Sequence, residues 1–321
     1  MYEARVNIFH KWLNEQCQNE ELSTKVVARF LVKLFNDGKT PSTIEGYRTA
    51  LSDAYPDYNW STNRELFRLI KSFHRDRPRA LRQLPSWDLR LVLQYLMGPH
   101  FEPMSVASFK MITLKTVFLL SLASGSRRSE VHSWLHAGVK FSNGYSEASL
   151  MPSLDFLAKN QKASGKPSEF SPCIIPALSK IVDRDLPDRS LCPVRALRFY
   201  LSESNKVRNN RKKLFIAYKP GYDKEISPIT ISTWLKLVIK LAYQNSNPDD
   251  LKLLKIKAHQ VRSLASSWAL LGGVSLTDIM NACHWSTHNT FTNFYLQPLA
   301  WSDGDSFSLG PFITAQHKVD F

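Results

Sequence analysis

The sequence predicts a mainly α protein with a small antiparallel β-sheet, arranged as an all-helical N-terminal domain followed by a larger α+β domain. Three observations carry this. Residues 5–74 repeat apolar positions at spacings of three and four with no alternating run, the pattern of amphipathic helices. Between 148 and 176 the pattern changes to short β-type runs about a polar centre, which reads as a hairpin. Helical spacing then returns and dominates the chain from 193 to 296.

The N-terminal domain, 1–74, reads as four helices packed as a small bundle. The first, 6–17, carries Phe9, Trp12 and Leu13 on one face, and the second, 23–37, carries Val26, Val27, Phe30, Leu31, Leu34 and Phe35 before Gly38 ends it. Thr40-Pro41 opens the third with a capping hydroxyl and a proline in the first turn, ahead of Ile44, Tyr47, Ala50 and Leu51. Ser61 is the expected cap of the fourth, whose apolar face is Leu66, Leu69, Ile70 and Phe73. A basic connector over 75–85, bracketed by Pro78 and Pro85, follows. Around it Lys71, Arg75, Arg77, Arg79 and Arg82 face a single Asp76, a run suited either to a solvated surface or to tracking phosphates.

The second domain, 86–321, opens with a helix over 87–97 capped by Ser86, then a looser stretch containing Pro99 and Pro103. An apolar helix over 108–123 delivers the chain to Ser124-Gly125-Ser126-Arg127-Arg128-Ser129-Glu130-Val131, where glycine breaks one helix and another begins. A helix start and an arginine together suit an oxyanion, and the plainer reading is an ion pair of Arg127 or Arg128 with Glu130. The hairpin strands are expected at 150–157 and 170–175, with Lys159, Lys162 and Lys166 on the tip, and a third strand at 214–218. Helices are expected at 193–201, at 227–243 (Ile231, Trp234, Leu235, Val238, Ile239 inward), and at 259–271, 276–283 and 288–296. A tail from 296, with Trp301, Phe307, Leu309, Phe312 and Ile313, is apolar enough to fold back or to dock on a neighbouring copy.

A net charge of +14 points to a polyanionic partner, with nucleic acid first. No apolar run reaches 18 residues and the first residues do not read as a secretory signal, so the expectation is a protein kept in a reducing compartment. Cys17, Cys173, Cys192 and Cys283 stand far apart without Cys-x-x-Cys spacing, which favours buried thiols over disulfides or a zinc site.

The chemistry concentrates in the last quarter. His259 and Arg262, three apart, share a helix face and present an imidazole and a permanent cation to one point. Tyr295 follows in an aromatic setting with Phe291 and Phe294, where its ring is held while its hydroxyl stays available. Either feature alone is as well explained by packing.

Arg127 in its Gly-x-Arg-x-Ser-Glu setting, a lysine in a hairpin, His259-x-x-Arg262, Trp285 and Tyr295 occur in the order found in tyrosine recombinases, the phage-integrase family, and nearly the whole chain resembles that family. Residues 37–47 are similar to its core-binding domain, a SAM-like DNA-binding bundle. Phe101-Glu102-Pro103, residues 191–196 and Trp285-Ser286 look most like recombinases of eukaryotic DIRS-type and Crypton-type mobile elements.

The resemblance implies that Tyr295 attacks a scissile phosphate to form a 3′-phosphotyrosine, that Arg127 and Arg262 hold its oxygens, and that His259 acts as hydrogen-bonding partner or base. Lys159 is implied as the acid for the leaving 5′-oxygen, with Lys162 on the same loop, Trp285 as a buttress beside His284, and Glu130 as support. It implies no metal and no cofactor, double-stranded DNA as partner, a homo-tetramer on paired sites from a free monomer or dimer, and a nuclear location in a eukaryote or a cytoplasmic one otherwise. Two further readings use the same residues: a type IB topoisomerase or telomere resolvase, and a DNA-binding protein that has lost catalysis.

Overall fold

The computed structural model describes residues 2–17, 20–78, 87–157, 172–178, 190–246, 248–252, 254, 256–271, 273–283, 285, 287, 288, 291, 292, 295 and 296. It divides into two compact units, Met1–Arg82 and Gln83–Phe321. Twelve α-helices, two short 3-10 turns and one three-stranded sheet are the named elements of the described part. None of its helices is long and apolar enough to cross a membrane.

The first unit contains α1 (Glu3–Gln16), α2 (Thr24–Asn36), α3 (Pro41–Ala54) and α4 (Arg64–Asp76). Their inward faces bury Phe9, Trp12, Val27, Phe30, Leu31, Ile44, Leu51, Leu66, Ile70 and Phe73 around Trp60. The caps are those a polar side chain makes at a helix start: the Ser23 hydroxyl accepts from the Val26 N–H, and that of Thr40 from Thr43. The cap of α4 is Asn63 and not Ser61. Its Oδ1 accepts from Glu65 N and Leu66 N at 3.0 and 3.1 Å, which satisfies two of the free donors of the first turn. The helix also runs on to Asp76, so Lys71 and Arg75 are helical residues and not part of a connector.

The second unit opens with α5 (Leu89–Met97), capped by Asp88, whose carboxylate accepts from Arg90 N at 2.9 Å; Trp87 stays outside the helix and its indole N–H donates to Gln260 Oε1 at 3.1 Å. Helix α6 (Phe109–Ser124) is buried on nearly every side from Ile112 onward, and it is the post about which this unit packs. Two of its buried polar residues find carbonyl partners, Thr116 Oγ1 donating to Ile112 O at 2.7 Å and Lys115 Nζ to Leu96 O at 2.8 Å, whereas Ser121 Oγ has none among the described residues. Burial lowers the Lys115 ammonium to about 8 although Glu102 pairs with it. Gly125, at φ 57°, closes α6 in the left-handed region that favours glycine and turns the chain into α7 (Arg128–Ser133).

The sheet order is β1 (Trp134–Phe141), β2 (Glu147–Pro152), β3 (Cys173–Pro176), both pairings antiparallel, with Ala148 opposite Ile175 and Leu150 opposite Cys173. The lysine tip expected between β2 and β3, Lys159 and Lys162 included, lies outside the described residues, as do Arg79, Arg82 and the tail after 296. The third strand is β1, which the sequence reading passed over, and not 214–218. That segment forms no strand, and the residue before it, Lys213, makes an isolated bridge to Leu135. Strand β1 is irregular for a physical reason. Its register shifts between Trp134 and Val139, and a Cβ on Gly138 would stand 2.8 Å from Met151 Cβ, so the strand pairs here only because that atom is missing.

Five helices complete the unit: α8 (Pro193–Asn205), α9 (Pro228–Ser246), α10 (Pro248–Leu251), α11 (Gln260–Leu271) and α12 (Leu276–Ala282). Beyond α12 the described helical residues are His288, Phe291 and Thr292, and Tyr295 sits in a turn rather than in a helix reaching 296. Cys17, Cys192 and Cys283 are buried free thiols and Cys173 is partly buried.

Candidate active site

The end of α6, the start of α7, one face of α9 and the start of α11 enclose a cleft of about 520 Å³. Arg127, Arg128, Ser232, Lys236, Lys257, His259, Arg262 and Tyr295 line it. Thus Arg127, His259, Arg262 and Tyr295, which are widely separated in the sequence, share one cavity.

Glu130 is the fixed point of the arrangement. One carboxylate oxygen accepts from the Arg127 backbone N–H at 2.6 Å, and the other from Arg127 Nη1 at 2.7 Å. The first oxygen also takes Arg262 Nη1 at 3.3 Å. The ion pair foreseen between Arg127 and Glu130 therefore forms, and the same carboxylate reaches across to α11. The backbone N–H that begins α7 is already occupied, so an anion here would be met by guanidinium groups and not by a helix start.

Arg262 is 4% exposed. It lies on the first turn of α11, donates from Nη2 to the Cys283 carbonyl, and its Nε–H has no partner among the described residues. Guanidinium stays charged at any ordinary pH and carries five donors. With one bond to Glu130 and one to Cys283, Arg262 keeps three for a further acceptor. The Cys283 thiol, fully enclosed by α12 and its neighbours, is pushed up to about 11 by burial, and Arg262 beside it works in the opposite direction.

Two rings complete the wall around Arg262. Its Cζ is 4.9 Å from the centroid of Trp285 and 5.4 Å from that of Tyr295, and the two rings lie 4.4 Å apart, tilted by 34°. Such cation–π contacts are worth up to about 2 kcal/mol when desolvated, and an aromatic pair about 1 kcal/mol more. Trp285, 5% exposed, stacks on the buried Phe291 at 5.4 Å, and its indole N–H is unpartnered among the described residues.

Tyr295 is anchored through its backbone: its N–H donates to Phe291 O at 2.8 Å and its carbonyl accepts from Ser267 Oγ at 3.2 Å. This leaves the phenol oriented by ring contacts while its residue borders the cleft. His259 immediately precedes α11, is exposed, and has its carbonyl within reach of Ser263 N at 3.3 Å, which opens the helix.

The structure thus brings together Arg127, Glu130, His259, Arg262, Trp285 and Tyr295. His284 and Lys159 lie outside the described residues. Arg77, expected to contact nucleic acid, is engaged within its own unit. Its guanidinium donates to Lys39 O at 2.9 Å and Phe35 O at 3.3 Å and lies 4.1 Å over the Phe35 ring, so it ties down the end of α2. The sequence reading missed Lys236 and Lys257. Lys236 sits one turn beyond Ser232 on α9, and the apolar periodicity of that helix left its polar face unremarked. Among the described residues no group of His, Cys, Asp and Glu is placed to hold a metal ion.

No protein-family model and no curated protein matches the sequence. Solved structures do resemble the fold. The XerH site-specific recombinase in a post-cleavage complex with a palindromic difH substrate aligns with a TM-score of 0.59 at 16% identity, over 92% of this chain and 75% of that one. The same recombinase in a pre-cleavage complex on difH gives 0.54 at 14% identity, over 91% and 74%. A lambda integrase dimer on a COC′ core site gives 0.48 at 14% identity, over 94% and 72%. The helical chain with its three-stranded antiparallel sheet has the fold of the XerH recombinase.

Proposed function

We propose that this protein is a site-specific DNA recombinase that cuts and rejoins duplex DNA through a 3′-phosphotyrosine on Tyr295. The observation that carries the reading is the pair of arginines held by one carboxylate, with the Tyr295 ring against the more buried of them. The fold shared with DNA-bound XerH recombinase supports it.

In this mechanism the phosphodiester sits where the unused donors of Arg127 and Arg262 converge. Planar guanidinium forks match its two non-bridging oxygens and stabilise the charge that grows on them as the Tyr295 oxygen attacks. The Tyr295 proton leaves to a base, His259 being the imidazole that lines the cleft, and the 5′-oxygen departs with a proton from a lysine, assigned to Lys159. Trp285 holds the Tyr295 ring and carries an indole N–H that has no partner among the described residues. The bond energy stays in the phosphotyrosine, so a second 5′-hydroxyl reverses the step on a new strand with no cofactor required. The Trp285-Ser286 pair and residues 101–103 and 191–196 favour a mobile-element enzyme that integrates or excises DNA, assembled as a tetramer on paired sites and nuclear in a eukaryotic host.

Incubation with a pool of nicked, randomised duplexes should give a protein–DNA adduct that survives denaturation, and Tyr295→Phe should give none. An adduct on the Phe variant overturns the assignment. A product joining two duplexes supports recombination, whereas relaxation of a supercoiled circle by the monomer supports a topoisomerase.

A further inference from the structure

The exposed face of α4 carries a feature that the chemistry of the cleft does not use. Phe67 is 58% exposed, and it is the one exposed phenylalanine among the described residues. At 100° per residue it shares an arc of roughly 100° with Arg64, Arg68, Lys71 and Arg75, opposite the buried Leu66, Ile70 and Phe73. None of these four cations forms an ion pair or hydrogen bond among the described residues, and the helix's acids, Glu65 and Asp76, fall outside the arc. Three other surface cations of this unit are paired, Arg29 with Glu20, Lys33 with Asp37 and Lys11 with Glu15. An unpaired cationic stripe around an exposed hydrocarbon ring is a poor solvent face and a good complement to a polyanion that also presents apolar groups.

We infer that α4 enters the major groove of duplex DNA, where Arg64, Arg68, Lys71 and Arg75 contact phosphates and Phe67 reads a thymine through its 5-methyl group. The inference rests on the recombinase reading for its partner. Dimensions favour the groove. From Arg64 to Arg75 the helix rises about 16 Å, and the major groove is about 12 Å wide, so cations along the stripe reach both flanking backbones while Phe67, at the edge of the stripe, faces the bases. Phenylalanine has no donor or acceptor, which leaves the thymine methyl as the one base-edge group it can distinguish.

The full-length protein would be used to select binding sites from randomised duplexes, in parallel with Phe67→Ala and with the double variant Arg64→Gln/Arg68→Gln. Thermal melting of each would establish that the bundle is intact. Wild type should prefer thymine at one position by about tenfold, the usual cost of one wrong base pair. Deoxyuridine at that position should abolish the preference, and Phe67→Ala should lose it without losing affinity for unrelated duplex. The glutamine variant should weaken binding to all sequences alike and flatten the salt dependence by about one unit of slope per charge removed. A Phe67→Ala protein with an unchanged selected site overturns the inference, as does wild type that ignores the uracil exchange or binds anionic vesicles as well as DNA through this face. Adduct formation is read separately. A chain that shows the Phe67-dependent preference but forms no adduct keeps this inference and loses the recombinase reading, and the opposite result does the reverse.

Discussion

Removing the Glu130 side chain tests the site at its hinge. Glu130→Ala deletes three hydrogen bonds, to Arg127 N, Arg127 Nη1 and Arg262 Nη1. It also leaves the Arg262 guanidinium, 4% exposed, with only the Cys283 carbonyl for a partner. Stripping one member from a buried ion pair costs about 3–5 kcal/mol, because the remaining charge stays desolvated. The expected loss in urea unfolding is therefore about 3 kcal/mol, the lower end, since the Arg127 side chain, 18% exposed, is partly open and can be rehydrated. Function should fall further. In the proposed reaction two phosphate donors lose their orientation together, and a single misplaced oxyanion donor already costs about 10²–10³ in rate, so phosphotyrosine formation on a nicked site should slow by at least that factor. Glu130→Gln separates the effects. It keeps an acceptor for one arginine, should recover more than half of the lost stability, and should leave the rate depressed. If Glu130→Ala loses less than about 1 kcal/mol and forms adduct at the wild-type rate, the carboxylate does not organise the arginines.

Other outcomes follow from the buried titratable groups. Burial holds the Lys115 ammonium at about 8 in the folded chain against an ordinary 10.5, so the unfolded chain binds more protons between those values. Stability should accordingly rise with pH across that window, by up to about 1.4 kcal/mol per pH unit, and Lys115→Met should flatten the slope in denaturant titrations at pH 8 and 10; an equal slope refutes it. Breaking the bidentate Arg195–Glu102 contact (2.7 and 2.8 Å) by Glu102→Ala leaves that ammonium and Arg195 unpaired and should cost about 3 kcal/mol, measured by urea unfolding. The Cys283 thiol, raised to about 11 and fully buried, should resist iodoacetamide at pH 8, while the partly buried Cys173 is alkylated at least tenfold faster; equal rates, read by mass spectrometry, argue against the enclosure.

Much of the helical frame is legible in the sequence because the signals are local. Thr40 caps as expected, and the helices expected to open at Ser23 and Ser108 do so with those hydroxyls as caps, because each precedes a run with helical apolar spacing; Gly125 breaks the chain where glycine sits easily at positive φ. The misplaced caps fail for an equally local reason. Ser61 and Asn63 are both competent, and only the turn around Asn59 decides that Asn63 reaches the free N–H groups first. Strand β1 was hidden because its bulge destroys alternation, and the fit of Gly138 against Met151 is a property of the pair and not of either segment. At the site, the residue types and their order pointed to Arg127, His259, Arg262 and Tyr295. The sharing of Glu130 between two helices, the stacking of Trp285 on Tyr295 and the presence of Lys236 in the cleft depend on contacts between distant segments, which periodicity does not report. Arg77 shows a contact that a charge run does not report. A basic residue in a basic run is bonded to two carbonyls of its own unit.

Charge balance explains why the two arginines share one acid. Glu130 with Arg127 and Arg262 leaves one net positive charge, facing a cleft that also presents Lys236 and Lys257. A phosphodiester brings one negative charge, so the triad alone would match the bound substrate. In the proposed reaction the transition state carries nearly two, as the attacking phenolate adds its charge to the phosphoryl oxygens. A site that only balanced the substrate would bind it without accelerating attack. The surplus must come from a group that interacts more strongly as the second charge develops, and the cations that border the cleft are suited to that. A second carboxylate on the triad would remove the surplus, whereas a missing one would leave Arg262 buried and unpaired. One acid between two arginines keeps the more buried guanidinium in place and still leaves the cleft positive.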